Sequence, residues 1–243
     1  LKKKRIVTFV IVGSIVASLC LTGIVLASTG VMGRIVRNAQ GAPVDTLPPP
    51  PPKTITIAAV GDIMMGTDYQ GSRLPPQDGA LLFADAAPIL RAVDIAFGNL
   101  EGPITKSAGC TKNTGSGRSF AFRCPPKLAR NLATAGFDVM SLANNHSKDF
   151  GYAGMAETKR ILDSLGIQYS SKNGEVAEFE IDSLRIALIA FSTGSAPRSI
   201  LNIGMCKEEV AELAPQYDIL IIRFHGGTEG TKALHTPYKF ENL

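Results

Sequence analysis

Phe137-Asp138-Val139-Met140-Ser141-Leu142, followed by Ala143-Asn144-Asn145-His146, is an apolar β-type run that stops on amide and imidazole side chains. Four other segments repeat the arrangement: 54–60 before Gly61-Asp62, 93–98 before Asn99-Leu100-Glu101, 184–191 before Ser192-Thr193, and 217–224 before His225-Gly226-Gly227. In a sheet of largely parallel strands the carboxyl ends line one edge, so residues far apart in sequence meet in one crevice. Asp, Glu, Asn and His gathered there point to a metal site.

Helical patterns fill the gaps. Segments 82–91, 126–135, 155–165 and 208–214 carry apolar residues at three- and four-residue spacing, with Gly136 and Gly166 where helix-ending glycines belong. In the third, Met155, Ile161, Leu162 and Leu165 face inward and Glu157, Lys159, Arg160 and Asp163 outward. Strands alternating with such helices predict an α/β fold. Runs 176–181 and 184–191, joined at Asp182-Ser183, read as a hairpin, so the sheet is expected to be mixed.

The net charge of +4 is misleading, because residues 1–37 hold six Lys/Arg and no acid, which leaves the remainder at −2. A nearly neutral folded part has no basic stripe and gives no support to a nucleic-acid partner. The Lys2-Lys3-Lys4-Arg5 cluster precedes 22 uncharged, mostly apolar residues, 6–27, enough to span the hydrocarbon core of a bilayer as a helix. A basic cluster ahead of such a run places the start in the cytoplasm and the bulk outside. Residues 1–5 are therefore expected to be cytoplasmic, 6–28 an uncleaved membrane anchor, 29–53 a stalk stiffened by five consecutive prolines, 48–52, and 54–243 the globular domain. Cleavage after Ala27 is the alternative, since Val25 and Ala27 are small, although the apolar run is long for a secretory signal. Cys110 and Cys124 bracket a polar loop and are expected to form a disulfide, in keeping with an extracytoplasmic domain. Cys206 reads as a buried small residue.

His146 lies in a loop with no apparent apolar face to bury it. An Asn-His pair at a strand end supplies an amide oxygen and an imidazole, and Asp149 is placed to fix the imidazole's tautomer. Asn99 and Glu101 offer two oxygen-bearing side chains at a strand exit; a solvated turn is the alternative. Asp62 taken alone would be a cap or turn residue, and its place among similar strand ends makes it a ligand candidate. The glycines after His225 allow a ligand to approach closely. His235 reads as a surface residue.

Gly61-Asp62-Ile63-Met64, Gly98-Asn99-Leu100-Glu101-Gly102-Pro103, the segment from Leu142 through Asn144-Asn145-His146 to Gly151, and Phe224-His225-Gly226-Gly227 resemble the signatures of the CapA-like poly-γ-glutamate capsule biosynthesis proteins. The resemblance runs from about Thr54 to the last residue. That family is similar to calcineurin-like metallophosphoesterases, so the resemblance implies an αββα sandwich of mixed sheets flanked by helices around a metal centre. It implies Asp62, Asn99, Glu101, Asn145 and His225 as metal ligands and His146 as the histidine facing the scissile group. One or two divalent ions (Mn, Mg, Zn or Fe) are implied as cofactors. Met64 stands where the wider superfamily often has a histidine, and Asn99 and Glu101 replace a bridging aspartate motif. The family pattern continues past Phe224-His225-Gly226-Gly227 to a Gly-His-x-Pro-His type motif, so the chain is expected to be a carboxyl-truncated copy.

Two functions are consistent with this reading. One is an extracytoplasmic, metal-dependent hydrolase or transferase acting on an anionic polymer such as poly-γ-glutamate, with His146 moving a proton. The other is a non-catalytic, membrane-anchored component that holds the polymer within a synthase and export complex.

Overall fold

The computed structural model describes residues 54–116, 119–171, 173–193 and 198–227. The expected anchor and stalk, the final residues and His235 lie outside the described residues. Among the described residues, no helix is long and apolar enough to cross a membrane.

Among the described residues, seven strands form two sheets. The first has the order β1-β2-β3-β4, with β1 Ile57–Ile63, β2 Ile95–Leu100, β3 Val139–Ser141 and β4 Gln168–Ser170. All its pairings are parallel, with Phe97 opposite Val139 and Val139 opposite Gln168. The second has the order β5-β6-β7, with β5 Ala177–Ile181, β6 Leu184–Ser192 and β7 Ile219–His225. Its β5–β6 pair is the expected antiparallel hairpin, turning through Asp182 and Ser183 at φ 50° and 67°, and β6–β7 is parallel. The five apolar runs are thus divided between two sheets, only one of which is mixed.

Strand alternation assigns each residue to a layer. Ala96 and Leu100 of β2 and Met140 of β3 point into a helix-side core with Leu90, Leu128, Leu132, Met155 and Leu162. Ile95 and Val139 point the other way, into a smaller cluster with Ala177, Ile186 and Leu188 of the second sheet, flanked by Phe97, Ile219 and Ile221. The two sheets therefore share one apolar layer, and the helices cover the far side of the first.

The helices start and stop differently from their sequence patterns. Segment 82–91 is mostly turns, with a single helical turn α1 at Ala87–Leu90. Segment 126–135 breaks into a 3-10 turn at Pro126–Leu128 and α2 at Arg130–Ala135, which ends at Gly136 in the left-handed conformation, φ 96°. The third pattern is α3, Gly151–Ser164, with Met155 and Leu162 buried as expected. The fourth begins earlier than expected, α4 at Ile203–Leu213, because the Asn202 side chain accepts the Met205 N–H at 3.2 Å and caps it.

The expected disulfide is absent: Cys110 and Cys124 are free thiols. The backbone of Cys124 pairs beside Ile104, and its side chain belongs to the helix-side core. Cys110 Sγ instead faces Lys112 O at 3.6 Å. Burial pushes the Cys124 thiol up to about 12, so it is inert at neutral pH.

Gly98 allows β1 and β2 to approach across a register shift in β1 between Ala59 and Asp62. A Cβ at Gly98 would lie 2.5 Å from Ile63 Cδ1 and 2.7 Å from Val60 Cγ2. Gly98→Ala is therefore expected to destabilise the domain by about 1–3 kcal/mol, read as a lower denaturation midpoint. A midpoint equal to wild type would show that β1 relaxes freely.

Candidate metal centre

The faces that carry the inter-sheet layer also carry the site. On β2, Ile95 and Phe97 are followed on the same face by Asn99; on β7, Ile219 and Ile221 are followed by Arg223 and His225. Asp62 pairs with Asn99 across β1 and β2, while its neighbour Ile63 points into the helix-side core.

Asp62, Glu101 and His225 converge, each offering a ligand atom within 4.8 Å of the others. His225 Nδ1 lies 3.4 Å from Asp62 Oδ1 and 3.9 Å from Glu101 Oε2, and its Nε2 meets Asn145 Oδ1 at 3.0 Å. Because an amide oxygen only accepts, this contact puts the ring proton on Nε2 and leaves the Nδ1 lone pair facing the two carboxylates. Asn145 is brought to the site, where it orients His225. Two carboxylate oxygens and one imidazole nitrogen suit a divalent cation.

Asn99 is buried at the centre of this group, with Nδ2 at 2.7 Å from Asp62 Oδ1, 2.6 Å from Glu101 Oε2 and 3.3 Å from His225 Nδ1. It therefore presents its nitrogen to the cluster. Its orientation follows from Asn144, which donates to Asn99 Oδ1 at 3.0 Å and Leu100 O at 2.8 Å and accepts the His146 N–H at 3.0 Å. Two backbone groups fix Asn144, and Asn144 fixes Asn99. A cation held by Asp62, Glu101 and His225 must displace the Asn99 amide nitrogen from its place among them.

His146 lies beside the cluster, with Nε2 3.7 Å from Glu101 Oε1. The expectation that nothing apolar buries it fails, since it is 8% exposed and the Phe122 ring stacks on it at 4.3 Å. Asp149, fully buried, places Oδ2 2.8 Å from His146 Nδ1 and also accepts the Phe122 N–H at 2.8 Å. Lys112 Nζ lies 2.8 Å from Asp149 Oδ1 and 2.9 Å from His146 Nδ1. An ammonium only donates, so Nδ1 either gives its proton to Asp149 or accepts one from Lys112, and the Nε2 proton changes accordingly.

Three participants were not read as site residues in the sequence. Arg223 donates through Nη1 to Ser141 Oγ at 3.0 Å and Ala143 O at 3.2 Å, and its Nη2 lies 3.6 Å from Asp62 Oδ1. It precedes His225 by two on one strand, so the period-two rule pointed to it. Lys112 and Phe122 come from the loop between β2 and α2 and carried no such signal. Burial lowers the Arg223 pKa, opposed by the charges of Asp62 and Glu101. Burial raises the Glu101 pKa; Asp62 adds to this and His225 opposes it.

The fold and the site define an α/β domain with a candidate metal centre at the carboxyl ends of its strands. The chain belongs to a capsule-synthesis family, since residues 56–239 match the family described as Bacterial capsule synthesis protein PGA_cap. Among curated relatives it is 26% identical over 193 residues to the PGA biosynthesis protein CapA of Bacillus subtilis strain 168, covering 72% of this chain and 50% of that one. To the capsule biosynthesis protein CapA of Bacillus anthracis it is 26% identical over 175 residues, covering 69% and 41%. An uncharacterized protein, y4sH, of Sinorhizobium fredii is 32% identical over 152 residues, covering 59% and 32%. The chain thus spans between a third and a half of the length of these relatives.

Glu101 must shed its proton to hold a cation, and its raised pKa brings that competition nearer to neutral pH. The affinity of the full chain for Mn²⁺ is therefore expected to weaken as pH falls from neutral into the mildly acidic range, with proton release on binding, by calorimetry in buffers of different ionisation enthalpy. Glu101→Gln is expected to bind more weakly and release fewer protons. Equal proton release by the two proteins would exclude Glu101 as a ligand.

Proposed function

We propose that this chain is a membrane-anchored, extracytoplasmic CapA-like protein whose crevice binds a divalent cation and cleaves or transfers links in an acidic polymer such as poly-γ-glutamate. The convergence of Asp62, Glu101 and His225 beside the His146–Asp149 pair carries the reading. The basic cluster and apolar run at the amino terminus support the anchor, and the family supports the polymer. The facing sheets with an overlying helix layer agree with a metallophosphoesterase-like domain.

In this reading Asp62, Glu101 and His225 hold the ion, Asn145 orients His225, and Asp149 holds His146 so that Nε2 faces the reacting group. A bound divalent ion would polarise the oxygen of the scissile bond. Arg223 offsets part of the negative charge of Asp62 and Glu101. Subunits of a polymer synthase complex are the expected protein partners.

A second reading, a non-catalytic component that holds the polymer, is favoured by one observation. The Asn99 amide nitrogen lies within hydrogen-bond distance of Asp62, Glu101 and His225 Nδ1, and its two N–H groups pair the two nearer acceptors, the carboxylates, without a cation.

Metal content of the full chain after dialysis against Mn²⁺, with assays of γ-glutamyl and phosphoester cleavage, separates the readings. Catalysis predicts stoichiometric metal that is lost in His225→Ala, and a His146→Ala variant that keeps its metal but turns over about a hundredfold more slowly. Folded wild type without metal or turnover would leave the holding role.

A further inference from the structure

A cavity is lined by residues next in sequence to the Phe122 support of His146. Its volume is ≈ 460 Å³, within the range of small-molecule sites, and its lining includes Asp68, Lys106, Arg123, Pro125, Pro126 and Lys127. Phe122 stacks on His146, and the next residue, Arg123, lines this cavity.

The Arg123 guanidinium is held before any ligand arrives. Its Nε donates to Asp68 Oδ1 at 2.6 Å and its Nη1 to Ser107 O at 3.1 Å. The guanidinium carbon lies 5.8 Å from the centre of the Tyr69 ring and 5.4 Å from that of Phe150. Among the described residues, Nη2 makes no hydrogen bond. A guanidinium fixed on three sides with one edge unused loses little entropy on binding an oxyanion.

Two lysines add to this. Among the described residues, Lys106 Nζ forms no ion pair or hydrogen bond. The nearby Glu157 carboxylate accepts from the Lys106 backbone N–H at 3.0 Å and from the Thr105 hydroxyl. Lys127 is paired with Asp78 at 2.7 Å, but both side chains are about half exposed, and such surface pairs are weak enough to be shared with a ligand. The one acid in the wall, Asp68, is engaged with Arg123.

We propose that this cavity is an oxyanion subsite that takes a carboxylate of an acidic chain, with Arg123 as the fixed donor and Lys106 and Lys127 as mobile cations. The choice of a polymer carboxylate rests on the function proposed above; the oxyanion chemistry does not. Phe122 and Arg123 are adjacent in sequence, and in this proposal the subsite holds one unit of the polymer while another lies at the metal centre.

The test uses the full chain at low ionic strength with chelator present, so that the metal centre does not contribute, and two probes: a short γ-linked glutamate oligomer and inorganic phosphate. Binding is followed by calorimetry for wild type, Lys106→Glu, Lys106→Arg and Lys127→Glu. The subsite predicts that Lys106→Glu binds the oligomer about tenfold more weakly, the size of one lost charge-assisted contact, while Lys106→Arg binds like wild type. Lys127→Glu weakens binding in the same direction, and unchanged Mn²⁺ uptake without chelator verifies that each variant is folded. Oligomer binding that is equal in all variants overturns the subsite and leaves the polymer reading intact. Phosphate binding that depends on Lys106, without oligomer binding, retains the subsite and overturns the polymer reading. Wild type that binds neither probe overturns the subsite.

Discussion

Strand parity is the constraint on which the rest of the structure depends. Ile95, Phe97 and Asn99 share one face of β2, and Ile219, Ile221, Arg223 and His225 share one face of β7. Along each strand the residues facing between the sheets are apolar first and polar last. The sheets are thus held together by the same faces that present the ligand candidates, and the parallel direction of β1, β2, β3, β6 and β7 brings these polar ends together. A one-residue slip of β2 would put Leu100 toward the site and Asn99 into the helix-side core, which burial does not tolerate.

Above that layer, amides and charges determine which atoms face the centre. Asn144 is satisfied by Leu100 O and the His146 N–H, so the backbone after β2 and the loop after β3 together decide that Asn99 presents its nitrogen. A buried carboxylate needs partners, and Asp149 has three in Lys112, His146 and the Phe122 N–H. Arg223 of β7 offsets part of the negative charge of Asp62 and Glu101. The site is therefore a shared structure of two sheets and two loops.

Much of this was legible in the sequence because an apolar run that ends on Asp, Asn, Glu or His must place its last side chain where a polar group finds partners, and a strand exit at a crevice does so. All five runs form strands, and four of them continue into their motifs. Asp62 thus lies within β1, past a register shift that no periodicity announces. β4, three residues reading Gln-Tyr-Ser, has no apolar run to reveal it. The spacing of Cys110 and Cys124 fits a bridge, but the core position of Cys124 depends on a pairing with Ile104 that local sequence does not encode. Burial of His146 was hidden for the same reason, since Phe122 stacks on it from another loop. Arg223 was within reach of parity alone.

The hairpin at Asp182-Ser183 bears on how the chain acquires this structure. Among the described residues it is the strand pair closed by a two-residue turn, a unit that in general forms on the microsecond scale. Among the described residues, the other strand–strand pairings join residues far apart in sequence, among them Ile186 to Ile219 across 33 positions, Ile57 to Ile95 across 38 and Phe97 to Val139 across 42. Closing long loops ahead of the contacts that reward them slows folding. The β5–β6 ribbon is thus the local part of the sheet structure, whereas the crevice is built from the ends of strands far apart in sequence and carries the larger loop-closure cost.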